Sequence, residues 1–155
     1  MSDFTTVANA LKAKLDSITD IGKTHIGWPL MTNWSEYLAE SKFTTGGGKD
    51  VIRVWIINRT VLSEIWVTQT QSYSVQTWEI TGYLGYADGI TTAQTEAEFQ
   101  EFCEFVFKEI RENYNLGNVF DMQEAPEMRI SLELFGRVAC HVARIILRGE
   151  IDKTF

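Results

Sequence analysis

Near its C-terminus the chain changes hydrophobic rhythm. Met128, Ile130, Leu132 and Leu134 alternate with polar or charged residues, whereas residues 138–147 are apolar except at His141 and Arg144. Alternation predicts a strand with one buried face, and a near-continuous apolar run predicts a strand covered on both. Phe135, Gly136 and Arg137 can turn the chain between them, so the two runs read as a hairpin. The first strand is then satisfied by one covered face. The second becomes the centre of a sheet, with helices covering it from opposite sides.

The same patterns place the other elements. Phe4, Val7, Ala8, Leu11, Leu15 and Ile18 recur at helical spacing and predict an amphipathic helix over residues 4–18, ended by a left-handed Gly22. Residues 23–28 read as a short extended run, with Pro29 holding Trp28 extended. Asn33 can cap a second, short helix that reaches about Ser41. Gly46, Gly47 and Gly48 mark a loop. Three β-prone runs follow, residues 51–59, 62–70 and 73–86, closed by a turn at Asp88 and Gly89. In the third run Trp78, Ile80 and Leu84 share one face, while Thr77, Glu79, Thr81 and Tyr83 share the other. A long helix then starts near Thr95, where Glu98 completes a capping box and Thr92 is a rival cap. Phe99, Phe102, Cys103, Val106, Ile110 and Tyr114 form its main apolar face, and Gly117 is available to end it. Short links between neighbouring strands predict an α+β fold: a largely antiparallel β-sheet with the long helix and the N-terminal helix packed on it.

Composition adds bounds. The 155 residues read as a single domain, 1–155, large enough to bury a core without disulfide or metal support. The 45% hydrophobic and 23% charged fractions are those of an ordinary globular chain, and no apolar run reaches membrane-span length. The start, Met1 to Phe4, lacks the basic and apolar regions of an export leader, so residence in a cytoplasm is expected. Cys103 and Cys140 then read as buried free thiols. A net charge of −7 argues against strong binding to a nucleic-acid backbone.

The residues with chemical potential do not assemble into a reactive site. His141 and Cys140 are a tempting base and nucleophile, but strand neighbours point to opposite faces. A zinc site would have to gather His25, His141, Cys103 and Cys140 without any supporting spacing. The Gly46 to Asp50 stretch resembles a phosphate loop, yet Phe43 stands where glycine is needed and Asp50 where serine or threonine is needed. It also precedes a strand, so no helix N-terminus follows to hold an anion. Glu96, Glu98, Glu101, Glu104, Glu109 and Glu112, beside Lys108 and Arg111, read as a solvated helix face, with Glu104 and Lys108 an i,i+4 pair. No catalytic residue, metal ligand or cofactor is expected.

Two features exceed the needs of a small monomer. Phe105 and Phe107 widen the apolar arc of the long helix to about 200°. Either the helix is deeply buried within one chain or one flank meets another subunit. The β-rich middle carries Trp55, Trp66, Tyr73, Trp78, Tyr83 and Tyr86. Long paired strands can project as a β-hairpin arm, and aromatic residues there suit an interface. The alternatives are that these rings belong to the core or line a ligand pocket. Phe105, Phe107, Trp55, Trp66, Tyr73 and Trp78 are therefore the candidate subunit contacts.

Several segments, taken in order, resemble the small tail-terminator or tail-completion proteins of long-tailed bacteriophages. They are the first helix leading into Ile21, Gly22 and Lys23, and the run from Trp78 through Gly82, Tyr83 and Gly85 to Tyr86. The helix beginning near Thr95 and the ending from Gly136 through Cys140 and His141 to Ala143 complete the likeness. The resemblance implies an α+β subunit in a homo-oligomeric ring, a hexamer, that caps the tail tube, stops its growth and faces the head connector. It implies location in the virion tail, tail-tube and head-connector partners, and no catalytic residues. Head-completion and tail-tube proteins share this size and acidity and remain alternatives.

Overall fold

The computed structural model describes residues 2–28, 33–44, 46–48, 50–86, 92–135 and 138–154. The turns expected at Asp88 and Gly89 and at Gly136 and Arg137 lie outside the described residues, as do Pro29, Lys49 and the side chains of Thr92 and Thr95. The elements in order are α1 (Asp3–Asp16), β1 (Lys23–Ile26), α2 (Trp34–Ser41), β2 (Lys42–Thr44), β3 (Asp50–Trp66), β4 (Gln71–Tyr86), α3 (Thr92–Glu112), β5 (Asp121–Met122), β6 (Glu127–Phe135) and β7 (Val138–Thr154). The fold is α+β.

Seven strands among the described residues form one mixed sheet. Its order is β1-β3-β4-β7-β5, with β2 also beside β3 and β6 also beside β7. Only the β1–β3 pairing is parallel. The β-prone runs at 51–59 and 62–70 belong to one strand, not two, which ends at Trp66 and leaves 67–70 to the turn. A bulge between Arg59 and Val61 joins them. Up to Arg59 the odd-numbered residues of β3 face the helices; beyond the bulge the even-numbered ones do.

Both long helices lie on the same face of this sheet, which corrects the expectation of cover from opposite sides. Val7, Ala8, Leu11 and Leu15 of α1 share one core with Phe99, Cys103, Val106 and Ile110 of α3. Beneath them lie Trp55 and Ile57 of β3, Trp78, Ile80 and Leu84 of β4, and Ala143, Ile145 and Leu147 of β7. A bridge of 3.1 Å from Lys14 Nζ to Glu109 Oε2 ties the two helices together. The other face is covered only in part. There Tyr37 and Leu38 of α2 pack with Tyr83 against Ile52, Cys140 and Val142.

Local chemistry explains the helix ends. Ser2 Oγ accepts from Thr5 N to cap α1, and Asn33 Oδ1 accepts from Glu36 N to cap α2. Asp16 ends α1, so Gly22 is not its terminator. Gly22 instead turns the link into β1 at φ 97°, where a side chain would strike the Arg53 backbone. Helix α3 is already helical at Thr92, so Thr95 lies inside its first turn. It stops at Glu112, leaving Tyr114 outside the helix and exposed. Leu116, Gly117 and Asn118, all at positive φ, carry the chain away.

Candidate contact surface

The sequence candidates separate into core and surface. Trp55 and Trp78 are fully buried in the chain's own core and are withdrawn as subunit contacts. Trp55 lies flat over Gly82, whose missing Cβ would sit 2.5 Å from the Trp55 ring, and its Nε1 donates to Ile21 O at 2.9 Å. Trp78 stacks on Phe4 at 5.4 Å between ring centroids, and Arg59 lies over Phe4 at 5.2 Å. Trp78 Nε1 donates to Gln76 Oε1, and Gln76 Nε2 donates to Ser74 Oγ, a chain of polar groups buried along β4. Tyr73 is half-buried, whereas Trp66 is 60% exposed.

These positions also answer the ligand-pocket alternative. Trp55 and Trp66 sit on the same strand, eleven residues or roughly 36 Å apart, so the three tryptophans do not surround one cavity. Hollows among the described residues are lined by other side chains. One of about 450 Å³ is lined by Tyr114, Asn118, Phe120, Asp121, Glu150 and Asp152.

The two phenylalanines that widen the arc of α3 part company. Phe105 is 47% exposed on the outer side of the helix. Phe107 is half-buried and, with Gln100, Cys103, Glu104, Met128 and Ile130, lines a hollow of about 220 Å³ between α3 and β6.

Strand β6 overturns an expectation. Its apolar residues Met128, Ile130, Leu132 and Leu134 do share a face, the helix side of the sheet, through pairing with Ile145, Ala143, His141 and Ala139. That face is nonetheless largely uncovered. Ile130 is 36% exposed, Leu132 56% and Leu134 74%. The reason is position: β6 is an edge strand, and α3 stands over β7 rather than beyond it.

A second open apolar edge lies across the sheet. β2 and β1 pair with β3 only as far as Ile57, so β3 from Asn58 onward has β4 on one side and no strand on the other among the described residues. Val61, Leu62, Ile65 and Trp66, with Val67 in the turn after them, are each at least half exposed. β7 runs beside β4 as far as the Gln71–Thr154 pair, so the distal end is a three-stranded ribbon with β3 as its edge.

Of the candidate reactive residues, Cys140 and His25 lie away from His141. His141 is buried, with its ring stacked on Phe99 at 5.3 Å and its Nδ1 3.0 Å from Glu96 Oε2. Cys140 faces the other way, into the cluster with Ile52 and Val142, as strand geometry requires. Burial, with the charge of Glu96 added, pushes the Cys103 thiol up to about 12, which suppresses the reactive thiolate. His25 lies at the other edge of the sheet, its Nε2 3.0 Å from Glu40 O. The charged residues of β6 are neutralised within the molecule. Arg129 Nε meets Glu127 Oε1 at 2.6 Å, and Arg144 Nη1 meets Glu133 Oε2 at 2.6 Å. The latter bond, followed by one from Ser131, holds the Glu133 carboxyl below its usual range.

No protein-family model matches the chain, and no curated protein sequence matches it.

Proposed function

We propose that this chain is a non-enzymatic structural protein that associates with copies of itself into a ring, and that the ring caps a bacteriophage tail tube and joins it to the head connector. The observation that carries the self-association is the pair of open apolar edges on one sheet, distal β3 and β6. Exposed apolar strand edges invite pairing with another chain and are normally blunted by charge, proline or cover. Here residues 60–70 hold Glu64 as their single ionisable group, in a chain of net charge −7. The tail-terminator role rests on the ordered resemblance across the chain. In this reading the long helix and N-terminal helix brace the sheet, and the distal β3–β4 segment serves as the arm.

The reading places the protein in the virion tail after assembly in a bacterial cytoplasm, with tail-tube and head-connector proteins as partners and no catalytic, cofactor or strong nucleic-acid function. Negative-stain imaging of tail tubes mixed with the protein tests it. Added density at one tube end is the expected result. Bare ends at saturating protein would remove the capping role.

A further inference from the structure

We infer that the two open edges bind each other between copies: the distal edge of β3 in one chain docks along β6 of the next, so that the sheet continues from subunit to subunit. This rests on the self-association reading above and names the surfaces that carry it.

The geometry is compatible with this pairing between similarly oriented copies. Distal β3 and β6 lie on opposite margins of the sheet and toward opposite ends of its strands, because β6 pairs with β7 from Val138 to Ile146 whereas distal β3 lies toward the Gln71–Thr154 end. A contact between two different patches is head-to-tail, and repetition of it closes a ring or grows a filament. The strands run in opposite directions within the sheet, so similarly oriented copies would pair them antiparallel, the commoner arrangement. Side-chain faces also match. Leu62 and Trp66 are on the helix side of β3 beyond the bulge, as Ile130, Leu132 and Leu134 are on β6.

Area and charge agree with this occupant. The five exposed apolar residues of distal β3 and its turn present on the order of 500 Å² of apolar surface, shared between the two faces of the strand, and the β6 strip with Phe107 on the order of 400 Å², comparable to the largest apolar patch of an ordinary monomer, which is often functional. An interface is about 57% apolar, so a contact that covered all ~900 Å² of this apolar surface would bury ~1,600 Å² in total, the size of a specific interface. Beyond Arg59 the distal edge brings only Glu64, and the β6 carboxylates Glu127 and Glu133 each already meet an arginine of their own chain. The two edges themselves therefore add little like-charge repulsion beyond that of the chains' net charge.

Thiol cross-linking tests it, with Cys103 and Cys140 buried and the unaltered protein as background. A mixture of Leu62→Cys and Leu132→Cys chains, treated with a short bis-maleimide, is expected to give a cross-linked dimer that neither variant forms alone. The Leu62→Cys/Leu132→Cys double variant is expected to give a ladder that stops at one closed size. Both positions are exposed, so folding should survive, and circular dichroism checks it. Oligomers by light scattering without the mixed product, or a dimer from Leu132→Cys alone, would overturn this pairing while leaving self-association standing. A single-chain mass for the unaltered protein at all concentrations, with no binding to tail tubes, would remove both.

Discussion

At the residue scale, a few side chains decide how the sheet packs. Gly82 exists to let Trp55 lie against β4. Gly82→Ala forces a methyl into the Trp55 ring, a clash that costs about 1–3 kcal/mol. Urea unfolding should show that loss with little change in its slope. On the open face, Glu133 tests a weaker effect. Its carboxyl is depressed by Arg144 and then Ser131, so the stability it adds is present above the ordinary glutamate range and lost as pH falls through the lower folded value. The pair is partly exposed and screened, so Glu133→Gln should destabilise by less than about 1 kcal/mol at neutral pH. The difference should vanish in acid, where the native carboxyl is also protonated; unfolding curves at both pH values measure it.

At the element scale, the period of each segment was legible and its surroundings were not. The β4 faces, the Asn33 cap and the core face of α3 from Phe99 to Ile110 follow from spacing alone. The single strand β3 did not, because the bulge after Arg59 shifts the alternation by one residue. A phase shift in sequence looks like a break between two strands. The alternation of β6 gave the correct shared face but could not say whether anything covers it. That depends on where α3 lands, which is a property of the tertiary packing. For the same reason Trp55 and Trp66, similar in sequence context, end in the core and at the surface. The element-level consequence is measurable. Leu62→Ser with Ile65→Ser, both on the exposed edge, should change unfolding free energy by no more than about 0.5 kcal/mol per site. The same pair should weaken self-association at least tenfold, read by sedimentation. Equal association in variant and parent would show that the β3 edge carries no contact.

At the scale of the whole molecule, charge and apolar surface act against each other. Each chain brings a net charge of −7 to any assembly, and like charges repel over a distance that salt shortens. Apolar contacts are not screened in this way. Association should therefore strengthen as ionic strength rises, and sedimentation in low and high sodium chloride checks the direction. Weakening with salt would point to ion pairs as the main cement. The covered side of the sheet supports the same picture. Its core closes within one chain, from α1 and α3 down to Trp78 and Ile145, so the proposed contact is not needed to bury it. Among the described residues, the apolar surface left open on the helix side lies at the margins of the sheet.

The central claim is that these margins join copies into a closed ring. Size-exclusion chromatography with light scattering across a wide concentration range, alone and with tail tubes, tests it most directly. The account predicts one discrete mass, several times that of a single chain, that does not grow with further concentration. A single-chain mass throughout, with no binding to the tubes, would contradict it.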